Sequence, residues 1–157
     1  MSVHKQIYNF LEIDEQLSTA GQPTREQFKV LKQNGYRVII NLADGSTEDD
    51  LPEESEIVNE LDLAYHHIPV HWEYPDKESL YRFFKVMDAQ QTQKILVHCI
   101  ANYRATAFVM LYRIVRQSVP IKQAIIPTHQ IWQPETVAPI WQTFIQDILK
   151  ENGIELS

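Results

Sequence analysis

One cysteine, Cys99, and four glycines serve all 157 residues. A lone cysteine excludes an internal disulfide, so nothing in the chain calls for an oxidising compartment. With so little glycine, some turns that need a left-handed backbone must use Asn or Asp. Basic charge is also scarce: 14 Lys and Arg against 21 Asp and Glu give a net charge of −7. That excess argues against a nucleic acid partner, whose phosphates want a basic surface. It leaves room for one small anion held at one concentrated positive site. No apolar run approaches the ~18 residues of a spanning helix, so no membrane partner is expected. Met1 to Phe10 lacks the apolar core of a secretory signal, and the expected location is the cytoplasm.

What is present fits one domain over residues 1–157, with 44% hydrophobic residues to build a core. Thr24 and Gln27 form a capping-box pattern for a helix that Asn34-Gly35 ends. Tyr36 to Leu42 is a β-branched run bounded by turns, and its Val38-Ile39-Ile40 centre predicts a strand buried on both faces. Pro52 to Leu61 reads as a helix and Ala64 to Val70 as a strand. Asp76 caps a helix bearing Leu80, Phe83, Phe84 and Met87 at helical spacing. Lys94 to Val97 is a third strand, followed by a helix after Arg104. Pro120 starts a helix that Pro127 is expected to end, and a last helix is predicted over roughly Pro134 to Asn152. Met1 to Ser18 is read only as a segment packing on the domain edge. Strands alternating with helices predict an α/β fold, three layers deep (α/β/α), around a mostly parallel central sheet.

The chemistry concentrates at the third strand, in His98-Cys99-Ile100-Ala101-Asn102-Tyr103-Arg104-Ala105-Thr106. A strand that delivers a short loop to a helix N-terminus makes an anion site, because the loop amides converge and the helix dipole favours negative charge. The same features, with a nearby arginine, favour a thiolate over a thiol. Cys99 therefore reads as a nucleophile, the loop amides as oxyanion donors and Arg104 as a bidentate clamp. The bland alternative is a small buried hydrophobe at Cys99 and a surface arginine at 104. The loop has no glycine, and Asn102 is the residue suited to a left-handed conformation.

This stretch resembles the signature of cysteine-dependent phosphatases of the tyrosine and dual-specificity kind. Ala20-Gly-Gln-Pro-Thr24, Gly35-Tyr-Arg-Val-Ile-Ile-Asn-Leu42 and Tyr65-His-His-Ile-Pro-Val70 extend the likeness. Together they resemble a bacterial branch, the phosphatase-like domain of the beta-lactamase hydrolase-like proteins. The resemblance implies a cysteine-phosphatase-like fold and hydrolysis of a phosphomonoester, on a small molecule or a phosphoprotein, through a phosphocysteine. It implies no cofactor. It assigns Cys99 as nucleophile, Ile100, Ala101, Asn102, Tyr103, Arg104 and Ala105 as the phosphate cradle, and His98 and Thr106 as supports. Four residues separate Cys99 from Arg104, where the usual signature has five, and Ala105 stands where a hydroxyl is usual. Four is also the spacing of the rhodanese-like sulfurtransferase loop, so sulfur transfer or persulfide handling is a second reading. A phosphate-binding domain without turnover is a third.

A phosphatase needs an acid for the leaving oxygen. Asp76 is the expected acid, though it also reads as a helix N-cap, with Glu73 and Asp44 as rivals. Trp72, Tyr74 and Tyr103 could wall a pocket for an aromatic ester or simply pack. His66, His67 and His71 match no zinc spacing, and no metal site is expected.

Overall fold

In a computed structural model, residues 3–155 are described. After a 3-10 turn at Val3–Gln6 the chain forms β1 (Leu11–Glu12), β2 (Leu17–Ala20), α1 (Arg25–Gln33), β3 (Val38–Asn41) and α2 (Glu54–Glu60). It continues through β4 (Ala64–His67), α3 (Lys77–Ala89), β5 (Ile95–His98) and α4 (Tyr103–Gln117). The last three elements are α5 (Ile121–Ile131), α6 (Pro134–Val137) and α7 (Pro139–Glu151).

The sheet runs in the order β1-β2-β5-β3-β4. Only the β1–β2 pair is antiparallel, and β2–β5, β5–β3 and β3–β4 are parallel. Side chains alternate between two cores, as the pleat requires. Val38 and Ile40 of β3, with Ile95 and Val97 of β5, join the core under α3, α4, α5 and α7. Ile39 and Leu96 point the other way, into a smaller core with Phe28 and Leu31 of α1 and Ile57 and Val58 of α2. This is the expected three-layer α/β fold. α4 is buried along most of its length because the helices of the larger layer pack around it. The chain steps from β2 over to β3 and β4, then returns to β5. The order reverses at β5, and a crevice opens beyond the carboxyl ends of strands at such a reversal.

Local signals place the elements well. The Thr24 hydroxyl accepts from the Gln27 amide at 3.2 Å and the Gln27 side chain accepts from the Thr24 amide at 2.9 Å. Asn34 is the C-cap of α1, and Gly35 follows with φ +92°. Three expectations are corrected. The N-terminal segment supplies two strands, where only edge packing was expected. α5 does not end at Pro127 but continues to Ile131; the proline forfeits one backbone bond, while the Thr128 hydroxyl anchors the helix on α4 through the Thr106 carbonyl. The last helix is two helices. Ala138 precedes a proline and is forced out of the helical region, to φ −146° and ψ 87°, so Pro139 starts α7 afresh.

Candidate active site

β5 ends at His98, and Cys99 to Asn102 bridge it to the first residue of α4, Tyr103. Each carbonyl of this bridge is engaged. The Cys99 oxygen faces His98 Nδ1 at 3.0 Å. The Ile100 oxygen accepts from the Gln22 amide at 3.0 Å. The Ala101 oxygen accepts from Asn9 Nδ2 at 3.0 Å. The Asn102 oxygen accepts from the Thr106 amide at 3.1 Å and its hydroxyl at 2.8 Å. A trans peptide points its N–H opposite to its C=O. Four engaged carbonyls therefore turn the amides of Ile100, Ala101, Asn102 and Tyr103 the other way. Arg104 and Ala105 add the unpaired amides of a first helical turn. None of these six amides donates to an acceptor among the described residues. Six amides without an acceptor, beside a thiol, are the kind of donor set an anion takes.

Asn102 does what the missing glycine would do. Its φ is +72° and it is fully buried. Its side-chain nitrogen donates to the Asn9 carbonyl at 2.8 Å and to the Thr19 hydroxyl at 2.9 Å. Those bonds offset the cost of the left-handed backbone. Asn9, itself left-handed at φ +51°, thus exchanges two bonds with the loop. Gly21 completes the support: a Cβ there would fall inside 3.0 Å of the Ile100 carbonyl oxygen, so only glycine admits the loop so close.

Cys99 is 1% exposed and lines a cleft of about 280 Å³ together with Trp72, Ile100, Ala101, Tyr103 and Arg104. Arg104 is not a surface residue; it is 6% exposed. Its Nη1 donates to the Val70 carbonyl at 2.8 Å and lies 3.6 Å from Asp44 Oδ1. Burial alone would raise the Asp44 pKa, but hydrogen bonds from Ser46 and the Arg104 charge outweigh it and hold the carboxyl below its usual range. Trp72 and Tyr103 form the cleft wall, backed by Trp132 and Trp141. Tyr103 stacks on Trp132 with centroids 4.9 Å apart, and Trp141 Nε1 donates to the Trp72 carbonyl at 2.7 Å. The wall is therefore pinned. Tyr74 is exposed and does not line the cleft. A hollow of about 700 Å³ between the start of α3 and α7 contains none of the loop residues.

Neither Asp76 nor Glu73 lines the cleft. Asp76 is exposed at the N-cap of α3, with both carboxylate oxygens bonded to Ser79 at 3.0 and 2.8 Å. Glu73 is exposed. The Thr106 hydroxyl donates to the Asn102 and Tyr103 carbonyls and accepts from Trp132 Nε1 at 3.1 Å. His67 Nε2 donates to the Ala43 carbonyl at 2.6 Å, and His71 Nδ1 accepts from the Glu73 amide. Among the described residues no cluster of three His, Cys, Asp or Glu could hold a metal, and no helix is long and apolar enough to cross a membrane.

Glu54 was not singled out from sequence. It is 2% exposed, and its Oε2 lies 2.6 Å from His98 Nε2. Gln22 Nε2 donates to Oε1 at 2.6 Å, and the Tyr65 hydroxyl donates to Oε2 at 3.0 Å. The available signal was its place three and four residues before Ile57 and Val58, on the apolar face of α2.

Three comparisons bear on this geometry. A family model described as "DSP-PTPase phosphatase fused to NAD+ Kinase" matches residues 5–139. The "Beta-lactamase hydrolase-like protein" of Xylella fastidiosa is 31% identical over 105 residues, which is 65% of this chain and 23% of that protein. The chain therefore aligns with less than a quarter of the curated relatives it matches. Among solved structures, a DUF442 protein of Shewanella putrefaciens is 34% identical, with a TM-score of 0.84 over 95% of this chain and 97% of the other. Tk-PTP, at 15% identity, shares the fold with a TM-score of 0.73 over 91% of this chain and 97% of its own.

Proposed function

The chain belongs to the family described as DSP-PTPase phosphatase fused to NAD+ kinase, and from that premise we propose that it hydrolyses a phosphomonoester through a phosphocysteine at Cys99. The observation that carries the proposal is the cradle: four engaged carbonyls and six amides left to donate, with Cys99 and Arg104 lining the same cleft. In the first half-reaction the Cys99 thiolate attacks phosphorus and the ester oxygen departs. The amides of Ile100 to Ala105 and the Arg104 guanidinium hold the phosphoryl oxygens, whose charge they offset in the transition state. In the second half-reaction water attacks the phosphocysteine, inorganic phosphate leaves and the thiolate returns. Asp44, ionised against Arg104, braces the guanidinium.

No carboxylate is among the residues lining the cleft. Asp76, the expected acid, is engaged as a helix cap. The leaving oxygen then departs with little help, which favours an aryl phosphate: a phenol of the tyrosine type has a pKa of ~10, whereas alcohols leave as far stronger bases. The aromatic wall of Trp72 and Tyr103 suits the same substrate class. The test is turnover of aryl and alkyl phosphates by wild type, Cys99→Ser and Asp76→Asn. Aryl esters should be cleaved, phosphate should be trapped on Cys99 at acidic quench, and Cys99→Ser should be inert. Asp76→Asn should retain aryl activity to within about twofold, against the ~100-fold loss expected for a general acid. A wild type inert on aryl phosphates and never labelled at Cys99 refutes the phosphatase reading. A ~100-fold loss in Asp76→Asn refutes the assignment of that residue as a cap alone.

A further inference from the structure

Glu54 belongs to α2, outside the loop, yet it gathers three donors from three separate parts of the fold. Gln22 reaches it from the turn after β2, Tyr65 from β4 and His98 from the end of β5. Two of these partners also hold the cradle. The Gln22 backbone amide ties down the Ile100 carbonyl, and the His98 ring ties down the Cys99 carbonyl. Each carbonyl fixes the direction of the next amide: Cys99 sets Ile100, and Ile100 sets Ala101.

The His98 ring is informative because both nitrogens face acceptors. A carbonyl cannot donate, so Nδ1 must carry a proton towards the Cys99 oxygen. At Nε2 stands a carboxylate that already accepts from Gln22 and Tyr65. Burial would raise the Glu54 pKa, but the His98 charge and hydrogen bonds from His98, Gln22 and Tyr65 outweigh it and keep the group ionised. With Nδ1 bonded to the Cys99 carbonyl and Nε2 2.6 Å from the Glu54 carboxylate, the ring is held from both ends. Around the pair, Phe28 of α1 packs edge-on against the His98 ring, Asn41 of β3 donates to the Tyr65 hydroxyl, and Asp50 in the loop before α2 adds negative potential at Tyr65.

We propose that Glu54 is a positioning residue of the cradle: through His98 and Gln22 it fixes the two peptide units, Cys99–Ile100 and Ile100–Ala101, whose amides meet the bound anion. The proposal rests on the phosphatase reading for the anion but not for the geometry. Its test is Glu54→Gln, which keeps size but cannot accept all three bonds, with two readouts. A crystal structure of the variant should show the Cys99–Ile100 or Ile100–Ala101 peptide rotated from its wild-type direction. Orthovanadate, a phosphoryl mimic, should bind the folded variant about tenfold more weakly, the scale of one lost charge-assisted bond. Unchanged vanadate affinity overturns the proposal. Weaker vanadate with both peptides unmoved also overturns it, since Glu54 would then not act through the position of the loop. If Glu54→Gln does not fold, Gln22→Ala carries the test: it removes one tether of the carboxylate and should weaken vanadate about threefold, and no loss overturns the proposal. If wild type itself binds no vanadate, the phosphatase reading falls, and the direction of the two peptides in the variant still decides whether Glu54 positions them.

Discussion

Gly21→Ala should damage the site out of proportion to the single methyl it adds. Gly21 lies in the turn after β2, its amide donating to the Tyr8 carbonyl at 2.8 Å, and the next amide, Gln22, holds the Ile100 carbonyl. An added Cβ would meet the Ile100 oxygen inside 3.0 Å, Tyr8 Cδ2 at 2.7 Å and the Tyr8 oxygen at 3.0 Å. Tyr8 is 61% exposed and its ring can swing away. The two oxygens are backbone and cannot. One side must shift by roughly half an ångström, which strains or breaks the Gln22–Ile100 bond and rotates the Ile100–Ala101 peptide. Overpacking costs ~1–3 kcal/mol and a lost hydrogen bond ~1 kcal/mol. The sum, ~2–4 kcal/mol, lowers the melting temperature by about 5–15 °C for a chain of this size.

Activity should fall further than stability explains. Misplacing a reacting group by ~1 Å can cost ~100-fold, so a shift of half that should cost about tenfold in kcat/KM on an aryl phosphate. The assay is run well below the variant's melting temperature, where the folded fraction is complete, so the loss reports the cradle and not unfolding. Thermal unfolding and steady-state kinetics on the same preparation separate the two effects. A variant with a melting temperature within 2 °C of wild type and unchanged kcat/KM would refute the close-approach argument and the role given to the Ile100 carbonyl.

Asn102→Ala removes two side-chain bonds and leaves a β-carbon in a left-handed backbone, so it should lose ~2–4 kcal/mol by denaturant titration. Asn102→Gly relieves the backbone but not the lost bonds and should fall between that variant and wild type; equal losses would show that φ at this position is not limiting. Glu54→Gln should lose ~3 kcal/mol at neutral pH, the scale of breaking a buried pair. Because the folded-state pKa of Glu54 lies below its ordinary value of 4.5, its contribution is present above that pH and is lost as pH falls through the folded value. The stability gap between variant and wild type should therefore close on acidification, and a gap that widens would contradict the sign. Thiosulfate should leave the mass of the protein unchanged; one sulfur added at Cys99 would favour the sulfurtransferase reading that the four-residue spacing admits.

Where one residue type in one local context decides the outcome, the sequence was legible. The capping box of α1, the Asp76 cap, the doubly buried β3 and the left-handed Asn102 all follow from chemistry within a few residues of each position. Features set by distant partners were not. β2 carries Ser18 and Thr19, whose polarity hid a strand buried at every position. They are buried because the Ser18 hydroxyl pairs with the Tyr36 hydroxyl at 2.7 Å and Thr19 meets Asn102 from 83 residues away. Glu54 sat in the run Glu53-Glu54-Ser55-Glu56, which reads as a solvated helix start. Nothing local marks which acid turns inward to meet His98, 44 residues on. The same holds for Asp76, whose cap was readable and whose place outside the cleft lining was not.

The short loop raised the question of whether four residues can surround a phosphoryl group. In the proposed reaction the number of donors matters more than the length of the loop. α4 begins at Tyr103, directly after Asn102, so helix amides take over where loop amides end, and the run from Ile100 to Ala105 is unbroken. The arginine then sits at the second position of α4. From there its guanidinium is fixed by Val70 on one side and Asp44 on the other. Among the described residues no hydroxyl is bonded to the sulfur. Ala105 has none, and that of Thr106 is engaged with the Asn102 and Tyr103 carbonyls and Trp132. In the proposed reaction such a donor matters most when the thiolate leaves phosphorus, in the second half. The proposal therefore expects the phosphocysteine to form more readily than it breaks down, and makes that intermediate the species to trap.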